Sequence, residues 1–149
     1  MKRAMTIAQE IEASLELAAE RCEDLTPLVY RRLFAVHPQM EPLFWRDDDG
    51  AVKGEMLSRV ILAILDFVGE RLYADTLIQC EVITHEGYDV PRDVFGVFFG
   101  VVADTVREVC GADWTPAMAQ AWRQTLQDLD YYVTHPDQAE TQAAAAAAV

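Results

Sequence analysis

Apolar residues recur every three or four positions through most of the chain, with charged residues between them. This spacing places the apolar side chains on one face of a helix. No stretch alternates apolar and polar residues in the way that a half-buried strand does. The pattern therefore predicts an all-α fold. Its helices begin near Thr6 and then cover about 26–37, 52–73, a shorter stretch that carries His85, 91–110, and a last helix that starts at Thr115.

Several of these helices carry recognisable boundary signals. Thr6 and Gln9 have the spacing of a capping box, and Thr115 precedes a proline at the first position of the last helix. Pro38 ends the second helix and opens a short segment, 39–44, which a polar loop follows. The stretch 91–110 is apolar on almost every side, which predicts that it lies deep in the core. The face behind Thr6 is predicted to consist of Ile7, Ile11, Leu15 and Ala18.

Composition narrows the classes of function. A chain of 149 residues with 52% apolar residues is expected to form one domain. The net charge of −13 argues against binding to nucleic acid or to an anionic membrane, since both attract Lys and Arg clusters. The apolar runs are much shorter than the ~20 residues that span a bilayer, and the N-terminus lacks the core of a signal peptide. Three widely spaced cysteines predict reduced thiols in a cytoplasmic protein: Cys22, Cys80 and Cys110.

His85 is the residue with the clearest chemical potential. It stands among apolar residues near the predicted end of a helix, shortly before Gly87 and Pro91. Such a histidine is either a packed core residue or a metal ligand that uses one neutral ring nitrogen. A single histidine is not a complete ligand set for most metals. It is sufficient for haem, because the porphyrin supplies four nitrogens and the protein need supply only one axial ligand.

Motifs also stand on both sides of this histidine, and in the first of them Tyr30 is followed by Pro38 eight residues on and by Phe44 six residues further. This spacing resembles that of the distal tyrosine, corner proline and haem-wedging phenylalanine of the globins, in particular the globin domain of bacterial flavohaemoglobins. The motif 53–57 resembles their distal helix, and the stretches 85–91, 112–116 and 121–122 resemble their proximal half. The resemblance covers about residues 6–135. It implies a globin domain over 1–135, with a polar, alanine-rich tail over 136–149.

The resemblance implies a three-over-three helical sandwich around haem b, with iron bound by His85. Tyr30, Lys53 and Leu57 would then lie on the distal side, where a gaseous ligand binds. A buried tyrosine needs a hydrogen-bond partner, which is either such a ligand or a backbone carbonyl. Apolar side chains would form the slot and keep water from the iron: Phe44, Leu57, Ile61, Val82, Val90, Val94, Phe95 and Phe98.

Lys53 departs from the pattern, because related bacterial proteins commonly carry glutamine at this position. It is one of only two lysines in the chain. Three interpretations remain open. The side chain can extend to a haem propionate, which is the interpretation we favour. It can point inward as a cationic donor to the ligand, or it can lose its proton and bind iron, which requires a strongly lowered pKa.

A second departure concerns the proximal side. Flavohaemoglobins carry a tyrosine and a glutamate that hydrogen-bond near the proximal histidine, whereas the corresponding positions here are Phe95 and a residue near Asp137. A strong electronic push on the iron is therefore not expected. We predict a bacterial-type globin that reversibly binds O2, NO or CO. The alternatives are a nitric oxide dioxygenase served by an external reductase, and a haem-free globin domain used for sensing or protein contact.

Overall fold

The computed structural model describes residues 4–136. Within this range the chain forms six α-helices, two short 3-10 helices and no strand, so the all-α prediction is confirmed. The sequence from 137 onwards, which includes Asp137 and most of the expected tail, lies outside the described residues. The helices are α1 (Ile7–Arg21), α2 (Thr26–Val36), α3 (Ala51–Val68), α4 (Ala74–Glu86), α5 (Arg92–Cys110) and α6 (Pro116–Thr134), and the 3-10 helices cover Pro38–Phe44 and Gly111–Asp113.

Two predicted helix starts are confirmed in atomic detail. The Gln9 N–H donates to Thr6 Oγ1 at 3.1 Å, and the Thr6 N–H donates to Gln9 Oε1 at 2.9 Å. At the start of α6 the Met118 N–H donates to Thr115 Oγ1 at 3.0 Å. Each bond satisfies a backbone N–H that has no partner within its own helix.

The third predicted helix ends earlier than expected, at Val68 rather than near Tyr73. The Asp66 carboxylate accepts hydrogen bonds from the N–H groups of Leu72, Tyr73 and Ala74 at 2.8–3.0 Å. These three donors belong to the turn and to the first residue of α4. Asp66 therefore stabilises a change of direction that the continuing apolar pattern did not indicate.

The core lies around α5, which contacts α1, α2, α4 and α6. The C-terminal half of α5 is buried as predicted, but Phe95, Val97 and Phe98 in its N-terminal half are only half-buried. Ile7, predicted on the inner face of α1, is exposed, because it occupies the first turn of that helix. Among the helices of residues 4–136, none has the length and hydropathy needed to cross a membrane.

A buried polar contact joins the first helix to the last. Trp122 of α6 donates from Nε1 to Ser14 Oγ at 2.9 Å, and Ser14 in turn donates to the Ile11 carbonyl at 2.7 Å. Both side chains are buried. The bond satisfies the indole N–H, which would otherwise be costly to bury.

Candidate functional site

His85 lies in the last turn of α4, at a corner that backbone hydrogen bonds hold in place. Its carbonyl accepts from the N–H groups of Tyr88 and Val90, both at 2.9 Å, and Asp89 adopts a positive φ of 65° to close the turn. The Arg92 guanidinium bonds Glu86 at 3.1 Å across the same corner. The backbone of His85 is therefore held at the corner between α4 and α5.

The hydrogen bonding of the His85 ring suits it to bind a metal. Nδ1 lies 2.8 Å from the Glu81 carbonyl oxygen. A carbonyl can only accept, so Nδ1 carries the proton and Nε2 keeps its lone pair in the neutral ring. The residues from 4 to 136 contain no cluster of three or more His, Cys, Asp or Glu able to hold a metal ion by themselves. A single imidazole nitrogen matches the protein contribution that haem requires.

Two neighbours set the electrostatic surroundings of this ring. Phe95 of α5 contacts it edge-on, with ring centroids 5.1 Å apart. Glu81 Oε2 lies 3.4 Å from His85 Nδ1, so its carboxylate can share the Nδ1 proton with the Glu81 carbonyl. Sequence reasoning missed Glu81, although its position four residues before His85 on a helix was a usable signal. Phe95 cannot accept a hydrogen bond from the His85 ring, whereas the Glu81 carboxylate lies close enough to do so.

Tyr30 of α2 is buried inside a cluster of aromatic rings. Its ring centroid lies 5.8, 5.4 and 5.6 Å from those of Phe34, Phe44 and Phe98. The hydroxyl has no hydrogen-bond partner among the described residues, so the backbone carbonyl, which was the alternative to a bound ligand, is not found there. Burial raises the pKa of Tyr30, and the negative charge of Asp47 raises it further. The hydroxyl therefore keeps its proton and is available as a donor.

Lys53 lies at the start of α3 and makes two contacts that the sequence did not indicate. Its Nζ is 3.4 Å from Asp47 Oδ2 and 5.1 Å from the centroid of the Phe44 ring. Asp47 belongs to the polar loop that precedes α3, and its side chain is only 3% exposed. The three interpretations of Lys53 from the sequence did not include this ion pair.

Two of the predicted apolar residues, Phe95 and Phe98, connect His85 to the aromatic cluster of Tyr30. Phe98 contacts Tyr30, and Phe95 contacts His85. Phe95 and Phe98 are three residues apart, so they are neighbours on one face of α5. The tyrosine side and the histidine side of the site therefore meet within about one helical turn. Leu57, Val82 and Val94 are buried, while the remaining apolar side chains are half-buried: Phe44, Ile61, Val90, Phe95 and Phe98.

These features fit a flat apolar group with a metal at its centre. Half-buried aromatic and aliphatic side chains gain about 25 cal/mol for each Å² that such a group covers. The Tyr30 hydroxyl supplies a donor that the described protein groups do not use. His85 supplies a ring nitrogen with its lone pair available. The residues present are therefore those that a haem site requires.

Comparison with known families agrees with this geometry. The Globin family model matches residues 28–132, a span that includes Tyr30, Lys53 and His85. No curated protein and no solved structure matches the chain. Because the match covers well over half of the chain, this protein belongs to the globin family. Globins bind haem and small gases such as O2.

Proposed function

We propose that this globin binds haem b through His85 and reversibly binds a diatomic gas, O2 or NO, with CO as a further ligand. The observation that carries the proposal is the His85 ring, whose Nδ1 proton is committed to the Glu81 carbonyl at 2.8 Å. This bond orients the ring and leaves Nε2 as the coordinating atom. When bound, haem supplies the iron at which the gas coordinates.

The side chains of the candidate site would then have separate roles. The half-buried apolar residues around Phe95 and Phe98 would hold the porphyrin and exclude water. Tyr30 would donate its hydroxyl proton to a polar ligand, because it has no other acceptor within residues 4–136. A hydrogen bond of this kind is strengthened by the low dielectric of the aromatic cluster. Leu57, which is buried on the same helix as Lys53, would limit the size of the ligand.

A second candidate function is nitric oxide dioxygenase, and Glu81 is the observation that favours it. NO and O2 together need one electron to give nitrate, and an external reductase would supply that electron. The Glu81 carboxylate, 3.4 Å from His85 Nδ1, would make the ring more electron-donating. Reversible binding remains our first proposal, because Phe95 stands where flavohaemoglobins carry a hydrogen-bonding tyrosine. Nitrate formation from NO and O2 with a chemical reductant, lost in Glu81→Gln, would support the second candidate.

We also propose that the protein is of bacterial type and cytoplasmic. The cytoplasmic assignment rests on cysteine chemistry, since Cys22, Cys80 and Cys110 are all thiols and none of them forms a disulfide. Reduced thiols are typical of cytosolic proteins.

Haem titration of the purified chain tests the main proposal. We expect a Soret band that saturates at one haem per chain, and a pyridine haemochrome spectrum that identifies haem b. His85→Ala should abolish the wild-type ferrous spectrum while preserving the helical circular dichroism. His37→Ala is the matched control, because His37 caps the end of α2 and its ring bonds Gln39 at 3.1 Å rather than a residue of the candidate site. Absence of a Soret band in the wild type would favour a haem-free sensing or contact domain.

A further inference from the structure

The first turn of α3 is capped by two aspartates from the preceding loop. Gly50 occupies the N-cap position and has no side chain to offer. The Ala51 N–H donates to Asp49 Oδ1 at 3.1 Å. Asp47 accepts from the next two N–H groups, with Oδ1 bound to Val52 at 3.0 Å and Oδ2 to Lys53 at 3.1 Å. Asp47 is therefore fixed by the helix backbone before its contact with the Lys53 side chain is considered.

The surroundings of Asp47 also require a cation. The carboxylate is nearly inaccessible, and a buried charge is stable only when it is paired and hydrogen-bonded. Burial raises the pKa of Asp47, but the N–H groups of Val52 and Lys53 and the Lys53 ammonium outweigh that effect and hold the pKa below its usual value. The carboxylate thus stays charged, and the Lys53 ammonium 3.4 Å away is its counterion.

The position of Lys53 connects this pair to the distal side of the site. The ammonium lies over the Phe44 ring, where a cation is attracted by the ring electrons. The Phe44 ring also packs against the rings of Tyr30 and Phe34, with centroids 5.4 and 5.7 Å away. The Lys53 side chain is 21% exposed, so it lies between solvent and the aromatic cluster.

We propose that Asp47 is a positioning residue that holds the Lys53 ammonium against Phe44 as a fixed cover on the distal side. A lysine held in this way is kept from extending to a propionate and from binding iron. The role of the cover in gas binding rests on the proposed function, whereas the positioning itself does not depend on haem. Loss of Asp47 should release the lysine from its place over the Phe44 ring, which would let ligands reach the distal side faster.

Reductive methylation of the full-length chain, read by peptide mass spectrometry, measures the positioning directly. The reaction needs an accessible, uncharged amine, and Lys2 is the only other lysine and serves as the internal reference. We expect Lys53 to react at least about fivefold more slowly than Lys2, because its side chain is only 21% exposed and its Nζ must leave Asp47 Oδ2 before it can react, a contact worth a factor of about five. Asp47→Asn should remove most of the difference.

Two neighbouring substitutions are the matched controls. Asp48→Asn removes an exposed charge from the same loop, and Asp49→Asn removes the charge of the residue that caps Ala51 while keeping an Oδ1 acceptor. Both should leave Lys53 protected. Equal reactivity of Lys53 and Lys2 in the wild type would overturn the proposal, as would unchanged protection in Asp47→Asn. The wild-type ratio needs no variant, so the proposal stays testable even where Asp47→Asn is unstable.

Rebinding of CO after flash photolysis of the haem-loaded chain tests the consequence. Asp47→Asn and Lys53→Gln should each accelerate CO association, and the double variant should be no faster than either, because both remove the same cover. Additive effects would contradict a shared role. If the chain takes up no haem, the proposed function fails, while the methylation ratio still decides whether Asp47 positions Lys53.

Discussion

The Tyr30 hydroxyl is expected to affect the haem-free protein and the gas-bound protein in opposite directions. Tyr30→Phe removes one oxygen atom and keeps the ring that contacts Phe34, Phe44 and Phe98. In the haem-free chain that oxygen is buried without a partner among residues 4–136, which costs about 1–3 kcal/mol. We therefore expect the variant to have a free energy of unfolding higher by about 1–2 kcal/mol.

The gas-bound protein should respond in the other direction. Donation of the Tyr30 proton to a polar ligand is worth about 1.5–3 kcal/mol, so its loss should raise the O2 dissociation rate by about ten- to a hundredfold. Bound CO is less polar and should respond much less. The same substitution thus makes the haem-free chain more stable and the O2 complex shorter-lived.

Urea unfolding of the haem-free chain and stopped-flow ligand replacement measure the two effects separately. Tyr88→Phe is the matched control, because Tyr88 is exposed and its variant should leave both quantities unchanged. Equal acceleration of O2 and CO dissociation would show that Tyr30 acts through bulk alone. A destabilised haem-free Tyr30→Phe would refute the reasoning about the partnerless hydroxyl.

Three further predictions concern charged residues. Glu81→Gln removes the charge beside His85 but keeps the bond between His85 Nδ1 and the carbonyl of residue 81. Spectroelectrochemistry should therefore give an iron reduction potential higher by about 10–40 mV. A lower potential would contradict the role of Glu81. Lys53→Gln should leave the pH dependence of the ferric spectrum nearly intact, whereas a lysine-dependent low-spin form of the wild type at high pH would show that Lys53 binds iron. Burial raises the pKa of Asp66, but three N–H groups and Arg71 outweigh that effect and hold the pKa below its usual value. The charged Asp66 therefore stabilises the fold fully at pH values above its pKa in the unfolded chain, about 4, and this contribution is lost as the pH falls through the lower pKa of the folded state. Urea unfolding from pH 5 to 3 should therefore show a steeper loss of stability in the wild type than in Asp66→Asn, and parallel curves would argue against this linkage.

Periodicity and capping signals were sufficient to predict most of the helices. Thr6 and Thr115 act as caps through neighbours three residues away, so their roles can be inferred from local sequence. Asp66 could not be interpreted in this way. Its partners lie six to eight residues ahead, across a turn whose backbone path the apolar pattern does not contain.

The same limit applies to the candidate site. Tyr30 and His85 were identified from motifs, and the structure adds their hydrogen bonding. Asp47 was grouped with two adjacent aspartates in a polar loop, and nothing in that run of three distinguishes the buried one from its exposed neighbours. Its burial depends on how the loop approaches α3, which is a tertiary property. The ion pair with Lys53 was therefore beyond the reach of sequence patterns.

The bond between Trp122 and Ser14 has a consequence for the order of folding. The two residues are 108 positions apart, and closing a loop of that length costs about 4 kcal/mol of chain entropy. Such distant contacts form after the local helices, because only formed helices present the packing surfaces that offset this entropy cost. Trp122 is the one wholly buried tryptophan of the three, since Trp45 is exposed and Trp114 half-buried. Its emission during refolding therefore reports the docking of the first helix onto the last, and should lag behind the far-ultraviolet signal of helix formation.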